Sequence, residues 1–347
     1  MKAVAYGIRP FEKEFLAKAN QKKHDITLIS NALSVDTAIY AEGKDAVIVF
    51  PNDDVSEAVI KKLAGLGVKY IASRSAGIDH INKAAAARYH IKLAHVAQYS
   101  PHAIAEHTVA MAFALNRHLV KADQHSHRFD FRNDELVGFN FSGKTVGLIG
   151  LGNIGRAVAL IFNGMGCRVV AFDPKFPKNI LHIQSVTLGD LLASSDIISL
   201  HLPLSNATRH LIRADTIRQM KNGVMLINTS RGAIINTWDV LAALETGKVG
   251  YLGLDVYEYE KGLFFEDHED DLVKDTLMKN LLGHPNVLIT PHQAYLTNEA
   301  LREIANQTIK NLDLWQMKEC LGKSRTCAKD CVESNLNETQ NDKLNDC

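Results

Sequence analysis

The sequence predicts an α/β fold built from two doubly wound parallel-sheet domains, and three observations predict it. The chain has 347 residues, 46% of them hydrophobic, more than one core usually accommodates, so two domains are the default expectation. Short apolar runs alternate with helical patterns, the order that yields parallel strands joined by crossover helices. One of those runs feeds a glycine-rich turn that opens a helix.

Taken in order, apolar runs at 2–6, 26–29, 46–50, 70–72 and 92–94 read as buried parallel strands, with helical patterns such as 11–22 and 56–63 between them. These form the first domain. Ser100 and Pro101 then supply an N-cap and a first-turn proline for a long helix to about residue 127, with Ile104, Met111, Leu115 and Leu119 on one face. That helix is expected to bridge the domains. A second series at 145–149, 168–172, 197–200, 224–228, 251–255 and 287–290 predicts a six-strand domain. The last helical pattern, 299–317, carries Leu301, Ile304, Ile309 and Leu312 and is expected to pack back on the first domain.

The turn is Gly150-Leu151-Gly152-Asn153-Ile154-Gly155, between the run at 145–149 and a helix over 153–163. Gly150 permits the tight turn, Gly152 lets backbone approach a pyrophosphate, and Gly155 lets helix and strand pack closely. The helix start at Asn153 and Ile154 offers N–H groups to the anion. Asp173 ends the next strand eighteen residues after Gly155, where a carboxylate holds a ribose 2′-OH and repels the 2′-phosphate of NADP. The pattern predicts a Rossmann domain with NAD as cofactor, with Lys175 a nearby cation.

Composition narrows the partners. Lys plus Arg equals Asp plus Glu at 39 each, so no net field recruits nucleic acid or an anionic membrane, and no apolar stretch is long enough to span a bilayer. Four of the five cysteines, Cys320, Cys327, Cys331 and Cys347, fall near the end of the chain, and Cys167 stands apart. The CxxxC spacing lacks the paired ligands of a zinc site, so no metal is expected, and free thiols fit a cytoplasmic protein. Residues 323–347 are polar and are expected to form a flexible tail.

The chemistry-bearing residues sit at strand ends of the second series. Asn228-Thr229-Ser230-Arg231-Gly232 places a guanidinium fork, suited to a planar carboxylate, just past a buried strand. The run Asp255-Val256-Tyr257-Glu258-Tyr259-Glu260 carries three carboxylates, a pattern also common on solvated loops. Thr290-Pro291-His292 ends the last strand with the side chain that titrates nearest neutral pH. An arginine, an acid and a histidine at the carboxyl ends of a dinucleotide-binding sheet form a candidate catalytic set.

At these residues the sequence resembles the D-specific 2-hydroxyacid dehydrogenases, and within them the fermentative D-lactate branch. The resemblance runs from residue 1 to about 318. It includes Ser73-Arg74-Ser75-Ala76-Gly77-Ile78-Asp79, the stretch from Tyr99 to His107, the glycine turn, the Arg231 segment, Leu263-Phe264-Phe265-Glu266-Asp267 and His292-Gln293-Ala294-Tyr295-Leu296-Thr297. It implies a flavodoxin-like substrate domain over 1–99 and 297–322 and a Rossmann NAD-binding domain over 100–296. It implies Arg231, Glu260 and His292 as the catalytic trio. Leu202, Pro203, Thr208, Thr229 and Ser230 would line the cofactor cleft, and Asp255 would lie near the nicotinamide. Ala76 and Gly77 would offer N–H groups to the substrate carboxylate, Tyr99 would close the pocket, and Phe50 and Tyr295 would help shape it. The implied reaction is reversible NADH-dependent reduction of pyruvate to D-lactate by a homodimer or higher homo-oligomer whose domains close over the substrate. Two readings stay beside it: a larger 2-oxo acid such as 2-oxoisocaproate or phenylpyruvate, and a dinucleotide-sensing binding protein like the corepressors that resemble this family. The chain departs from the usual pattern at Leu151, at Pro291 and in its cysteine-bearing tail.

Overall fold

Alternation along each strand decides which helices cover which face. The computed structural model describes residues 1–176, 182–270 and 274–317. The expected tail at 323–347, with Cys327, Cys331 and Cys347, lies outside them, as does Cys320. The chain divides into two units, one made of Met1–Ser100 and the chain from Thr297 onward, the other of Pro101–Leu296.

In the first unit β1 (Lys2–Ala5), β2 (Asp25–Leu28), β3 (Ala46–Val49), β4 (Tyr70–Ser73) and β5 (Lys92–Ala94) form an all-parallel sheet in the order 2-1-3-4-5, that of flavodoxin-like folds. Helices α1 (Glu12–Asn20), α2 (Glu57–Gly65) and α3 (Lys83–Arg88) connect the strands. Val4, Val47 and Val49 point to one face and pack with Val59, Ile60 and Leu63 of α2. Their neighbours Ala3, Ala5, Ala46 and Ile48 point to the other and meet Leu16 of α1. The small alanines leave room there for a second helix.

The second unit opens with α4 (Pro101–Asn116) and α5 (Leu119–Ser126). The single long helix expected here is broken, because His118 adopts a left-handed φ of 49°. The end of α4 is taken by the returning chain: the buried Asn116 amide bonds both the N–H and the C=O of Phe139, at 2.8 and 2.7 Å. Then come β6 (Thr145–Ile149), α6 (Asn153–Gly164), β7 (Arg168–Phe172), β8 (Ile183–Ser185), α7 (Leu188–Ser194), β9 (Ile197–Leu200), α8 (Ala214–Gln219), β10 (Val224–Asn228), α9 (Thr237–Glu245), β11 (Val249–Leu254), α10 (Thr276–Gly283) and β12 (Val287–Ile289). The sheet order is β12-β11-β10-β9-β6-β7-β8. Counted from β6 this is the 3-2-1-4-5-6 Rossmann order with one strand added beyond the sixth. The expected six strands are therefore seven. The missed one, β8, is a three-residue edge strand with one apolar residue, too short and too polar to show a period. Val146, Leu148 and Met225 face α4 and α6, whereas Ile149, Leu200 and Leu226 face α7, α8 and α9.

The chain ends its described part with α11 (Asn298–Gln316), capped by the Thr297 hydroxyl. Its Ala305, Ile309, Leu312 and Trp315 complete the alanine face of the first sheet. Trp315 stacks on Tyr70 with ring centroids 4.7 Å apart.

Candidate active site

The glycine turn has the space its residues imply. Gly150 has φ 96°, and a Cβ there would lie 2.2 Å from the His201 carbonyl oxygen. A Cβ on Gly155 would lie 2.2 Å from the Gly150 carbonyl oxygen. Gly152, the N-cap of α6, has nothing within 4 Å of that position, which leaves open the approach a pyrophosphate needs. Asp173 follows β7 and binds the turn, accepting the Leu151 N–H at 2.7 Å and the Lys175 N–H at 2.8 Å. Two carboxylate oxygens carry about four acceptor positions, so capacity for a ribose hydroxyl remains. The residues present fit a dinucleotide.

Asn153 accepts from Arg156 at the start of α6, and Ile154 packs on the core below it. Leu202 is packed on the other core face. The Thr208 hydroxyl donates to the Pro203 carbonyl at 2.7 Å, and the Thr229 hydroxyl lies 2.9 Å from that of Thr108. The Ser230 hydroxyl donates to Asn228 Oδ1 at 2.7 Å. The Thr208 and Ser230 hydroxyls brace their own loops, and that of Thr229 ties its loop to α4.

Past β10 the chain turns on Asn228, whose amide donates to the Arg231 carbonyl at 2.8 Å. Arg231 is half-buried and donates to the Ser230 carbonyl at 2.7 Å. Gly232 makes the next contact possible: a Cβ there would lie 2.0 Å from the Tyr257 carbonyl carbon and 2.4 Å from the Glu258 nitrogen. Only glycine lets the Arg231 turn rest on the segment after β11.

The three carboxylates of that segment have three environments. Asp255 is fully buried and accepts from the Thr290 hydroxyl at 2.6 Å, the Gln293 N–H at 2.8 Å and the Ala294 N–H at 2.9 Å. It braces the loop that holds His292. His107 Nε2 stands 3.1 Å from the Thr290 hydroxyl and 3.4 Å from Asp255 Oδ1. Glu258, with a side chain only 3% exposed, accepts from Thr237 N–H and hydroxyl at 3.1 and 2.9 Å and pairs with His210 Nε2 at 2.5 Å. Burial pushes its pKa up, but the His210 and Thr237 hydrogen bonds prevail and hold it below the usual carboxylate range. Glu258 is thus a structural anchor and not a solvated acid. Glu260, 29% exposed, accepts the Tyr257 N–H at 3.3 Å on Oε2, and the same oxygen faces His292.

His292 adopts φ 53°, a left-handed conformation that costs a residue with a Cβ roughly 1–3 kcal/mol. The Asp255 hydrogen bonds offset that strain. His292 Nδ1 lies 3.4 Å from Glu260 Oε2, within ion-pair reach though without hydrogen-bond alignment, and the Phe265 ring is 5.6 Å from the imidazole. The unit thereby combines a dinucleotide cradle, an arginine turn and a histidine beside a carboxylate. Such a set can bind a planar anion and move one proton. Gly232, His107 and the His210–Glu258 pair went unassigned in the sequence. Gly232 was visible there as the residue after Arg231, and the histidines had no spacing to mark them.

Ala76, Gly77 and Tyr99 belong to the other unit, the first two in the turn after β4 and Tyr99 beyond β5. Phe50, just past β3, lies under the Arg74 guanidinium, 5.1 Å from ring centroid to carbon.

Comparison with known proteins gives a consistent result. The family described as "D-isomer specific 2-hydroxyacid dehydrogenase, NAD binding domain" matches residues 109–294. D-lactate dehydrogenase of Escherichia coli is 40% identical over 336 residues, covering 96% of this chain and 100% of that one. The solved structure reported as the pyruvate reductase of Chlamydomonas reinhardtii superposes with a TM-score of 0.87 at 42% identity, covering 92% of this chain and 97% of that one. D-2-hydroxyisocaproate dehydrogenase gives a TM-score of 0.81 at 31% identity, covering 94% and 99%.

Proposed function

Because the chain belongs to the D-isomer specific 2-hydroxyacid dehydrogenases and is an NAD-dependent oxidoreductase of D-2-hydroxyacids, we propose that its substrate pair is pyruvate and D-lactate. The observation that carries the catalytic part of the reading is the approach of His292 to Glu260 on a loop braced by Asp255. Identity to D-lactate dehydrogenase over nearly the whole chain supports the substrate.

NAD would be held by Gly150, Gly152, Asn153, Ile154, Gly155 and Asp173, with Leu202, Pro203, Thr208, Thr229, Ser230 and Asp255 around it; when bound, it supplies or takes up the hydride at C2. The chain's own residues do the rest. Arg231 grips the carboxylate and polarises the carbonyl, where negative charge grows during reduction, an effect typically worth about 3 kcal/mol per group. Protonated His292 donates from Nε2 to the carbonyl oxygen, and in the reverse direction neutral His292 takes the proton from the hydroxyl. Glu260, with Oε2 3.4 Å from Nδ1, favours the tautomer that carries a proton there and so fixes which ring nitrogen faces the substrate. Ala76 and Gly77 bind the substrate carboxylate through their N–H groups, and Tyr99 closes the pocket. The same reading makes the enzyme a homodimer of the cytoplasm, a reducing compartment consistent with the buried free thiol of Cys167.

A larger 2-oxo acid is the second reading, favoured by the likeness to D-2-hydroxyisocaproate dehydrogenase. Steady-state kinetics with NADH on pyruvate, 2-oxobutyrate, 2-oxoisocaproate and phenylpyruvate tests both. The highest kcat/KM is expected on pyruvate; a maximum on 2-oxoisocaproate or phenylpyruvate replaces the lactate reading with the second one.

A further inference from the structure

The turn after β4 has three successive carbonyls, and the protein captures each of them. The Val96 N–H donates to Ser75 O at 3.2 Å, His95 Nδ1 approaches Ala76 O at 2.9 Å, and the Ser75 hydroxyl donates to Gly77 O at 2.6 Å. In a trans peptide the C=O and the following N–H point in opposite directions. Holding a carbonyl therefore fixes the N–H on the opposite edge of the same peptide plane, and holding Ala76 O fixes the Gly77 N–H. Among the described residues neither Ala76 nor Gly77 donates its N–H to an acceptor. Such a pair of outward backbone donors recognises an anion.

Two of these three anchors are backbone or belong to the turn itself. His95 is the one side chain that reaches in from another element, the segment just past β5. A carbonyl can only accept, so the proton sits on Nδ1. Asn311 on α11 in turn donates to the His95 carbonyl at 3.3 Å. Burial holds the imidazole below its ordinary pKa, with the Ala76 hydrogen bond opposing and the charge of Lys83 assisting. The shift favours the neutral ring, which contributes direction and no charge.

We propose that His95 is a positioning residue for substrate binding, fixing the Ala76–Gly77 peptide plane so that the Gly77 N–H is presented to the carboxylate of a 2-oxo acid. This rests on the function proposed above and adds to it a residue that touches neither substrate nor cofactor. The carboxylate is not altered by the reaction, so the contact stabilises ground state and transition state alike. Its loss belongs in KM and not in kcat.

Three variants test this. Asparagine places its amide nitrogen where Nδ1 stands, glutamine places it one carbon further out, and leucine has no donor. His95→Leu and His95→Gln should raise KM for pyruvate about five- to tenfold, the worth of one hydrogen bond. His95→Asn should stay within about twofold of wild type. The inhibition constant of oxamate, a carboxylate that cannot be reduced, should rise in the same proportion. The kcat at saturating pyruvate and the NADH affinity from fluorescence titration should stay within about twofold in all three. A wild-type KM and oxamate constant in His95→Gln overturns the inference even if His95→Leu does not fold. So does an asparagine variant as poor as the glutamine one, or a parallel loss of kcat and NADH binding. A wild-type protein that reduces no 2-oxo acid removes the functional reading itself, and a working wild type with an indifferent His95→Gln removes this inference alone.

Discussion

The two units end their parallel strands in different kinds of loop. In Pro101–Leu296 the loops after β7, β10, β11 and β12 present side chains, Asp173, Arg231, Glu260 and His292. In the unit that starts at Met1 the loop after β4 offers backbone, its carbonyls held by Val96, His95 and Ser75. Side chains bring charge and a titrating proton, which reaction needs; fixed N–H groups bring direction, which recognition needs. Damage to the first unit should therefore appear in KM or stability, and damage to the second in kcat or cofactor use.

The strongest expected break is at His292. In His292→Gln the side chain keeps its reach but loses the titrating proton, so kcat should fall roughly 10²-fold or more with NADH binding near wild type. A variant retaining most of its turnover would separate the histidine from proton transfer. Gly232→Ala comes next. The added Cβ would sit 2.0 Å from the Tyr257 carbonyl carbon, so the Arg231 turn must lift. A roughly tenfold loss of kcat is expected, with a melting temperature lower by about 2–10 °C for 1–3 kcal/mol of overpacking. An alanine variant with wild-type kcat would show that the contact does not set Arg231.

If Asp173 holds the ribose as proposed, Asp173→Ala removes that acceptor and the charge opposing a 2′-phosphate, so KM for NADH should rise about tenfold and the gap to NADPH should narrow. An unchanged ratio counts against Asp173. The smallest effect contrasts the units by acid titration. Asp53, buried after β3, accepts the Leu33 and Phe50 N–H groups at 2.6 Å each, yet burial pushes its pKa up to about 6. Its folded state holds a proton that the unfolded chain releases near pH 4. That contribution is complete below pH 4 and is lost as pH rises through 6, by at most about 3 kcal/mol. Glu258, held below the usual range, has the opposite sign: its contribution is present above the unfolded pKa and is lost as pH falls. The two tryptophans separate the signals, Trp315 reporting the first unit and Trp238 the second. Denaturant titrations of single-tryptophan proteins between pH 4 and 7 should slope in opposite directions. Asp53→Asn should flatten the first slope; an unaltered slope would assign it to another group.

Most of the second sheet was legible because burial on both faces makes a strand apolar at nearly every interior position. Thr145–Ile149, Arg168–Phe172, Ile197–Leu200 and Val224–Asn228 begin and end where the apolar runs do. The glycine turn was legible because each glycine answers a steric demand. What escaped depended on distant partners. Nothing near His118 in sequence marks the break between α4 and α5, which follows from Phe139 closing on Asn116. Glu258 looks like its neighbour Glu260 until Thr237 and His210 enclose it. His95 carries no local signal, because its effect passes through the peptide it orients.

The first unit is interrupted in sequence, and this sets an order of events on the ribosome. Its five strands emerge early, but Ala305, Ile309, Leu312 and Trp315, which cover the alanine face, follow the whole of Pro101–Leu296. Translating those roughly 200 residues takes on the order of 10–40 s at typical elongation rates. Through that interval Ala3, Ala5 and Ile48 have Leu16 of α1 but lack the α11 part of their cover, while the uninterrupted unit can close on itself. The nascent chain thus passes through a stage with one uninterrupted unit complete and the other short of one helix, and a ribosome stalled before α11 would release a chain whose first sheet is only part-covered.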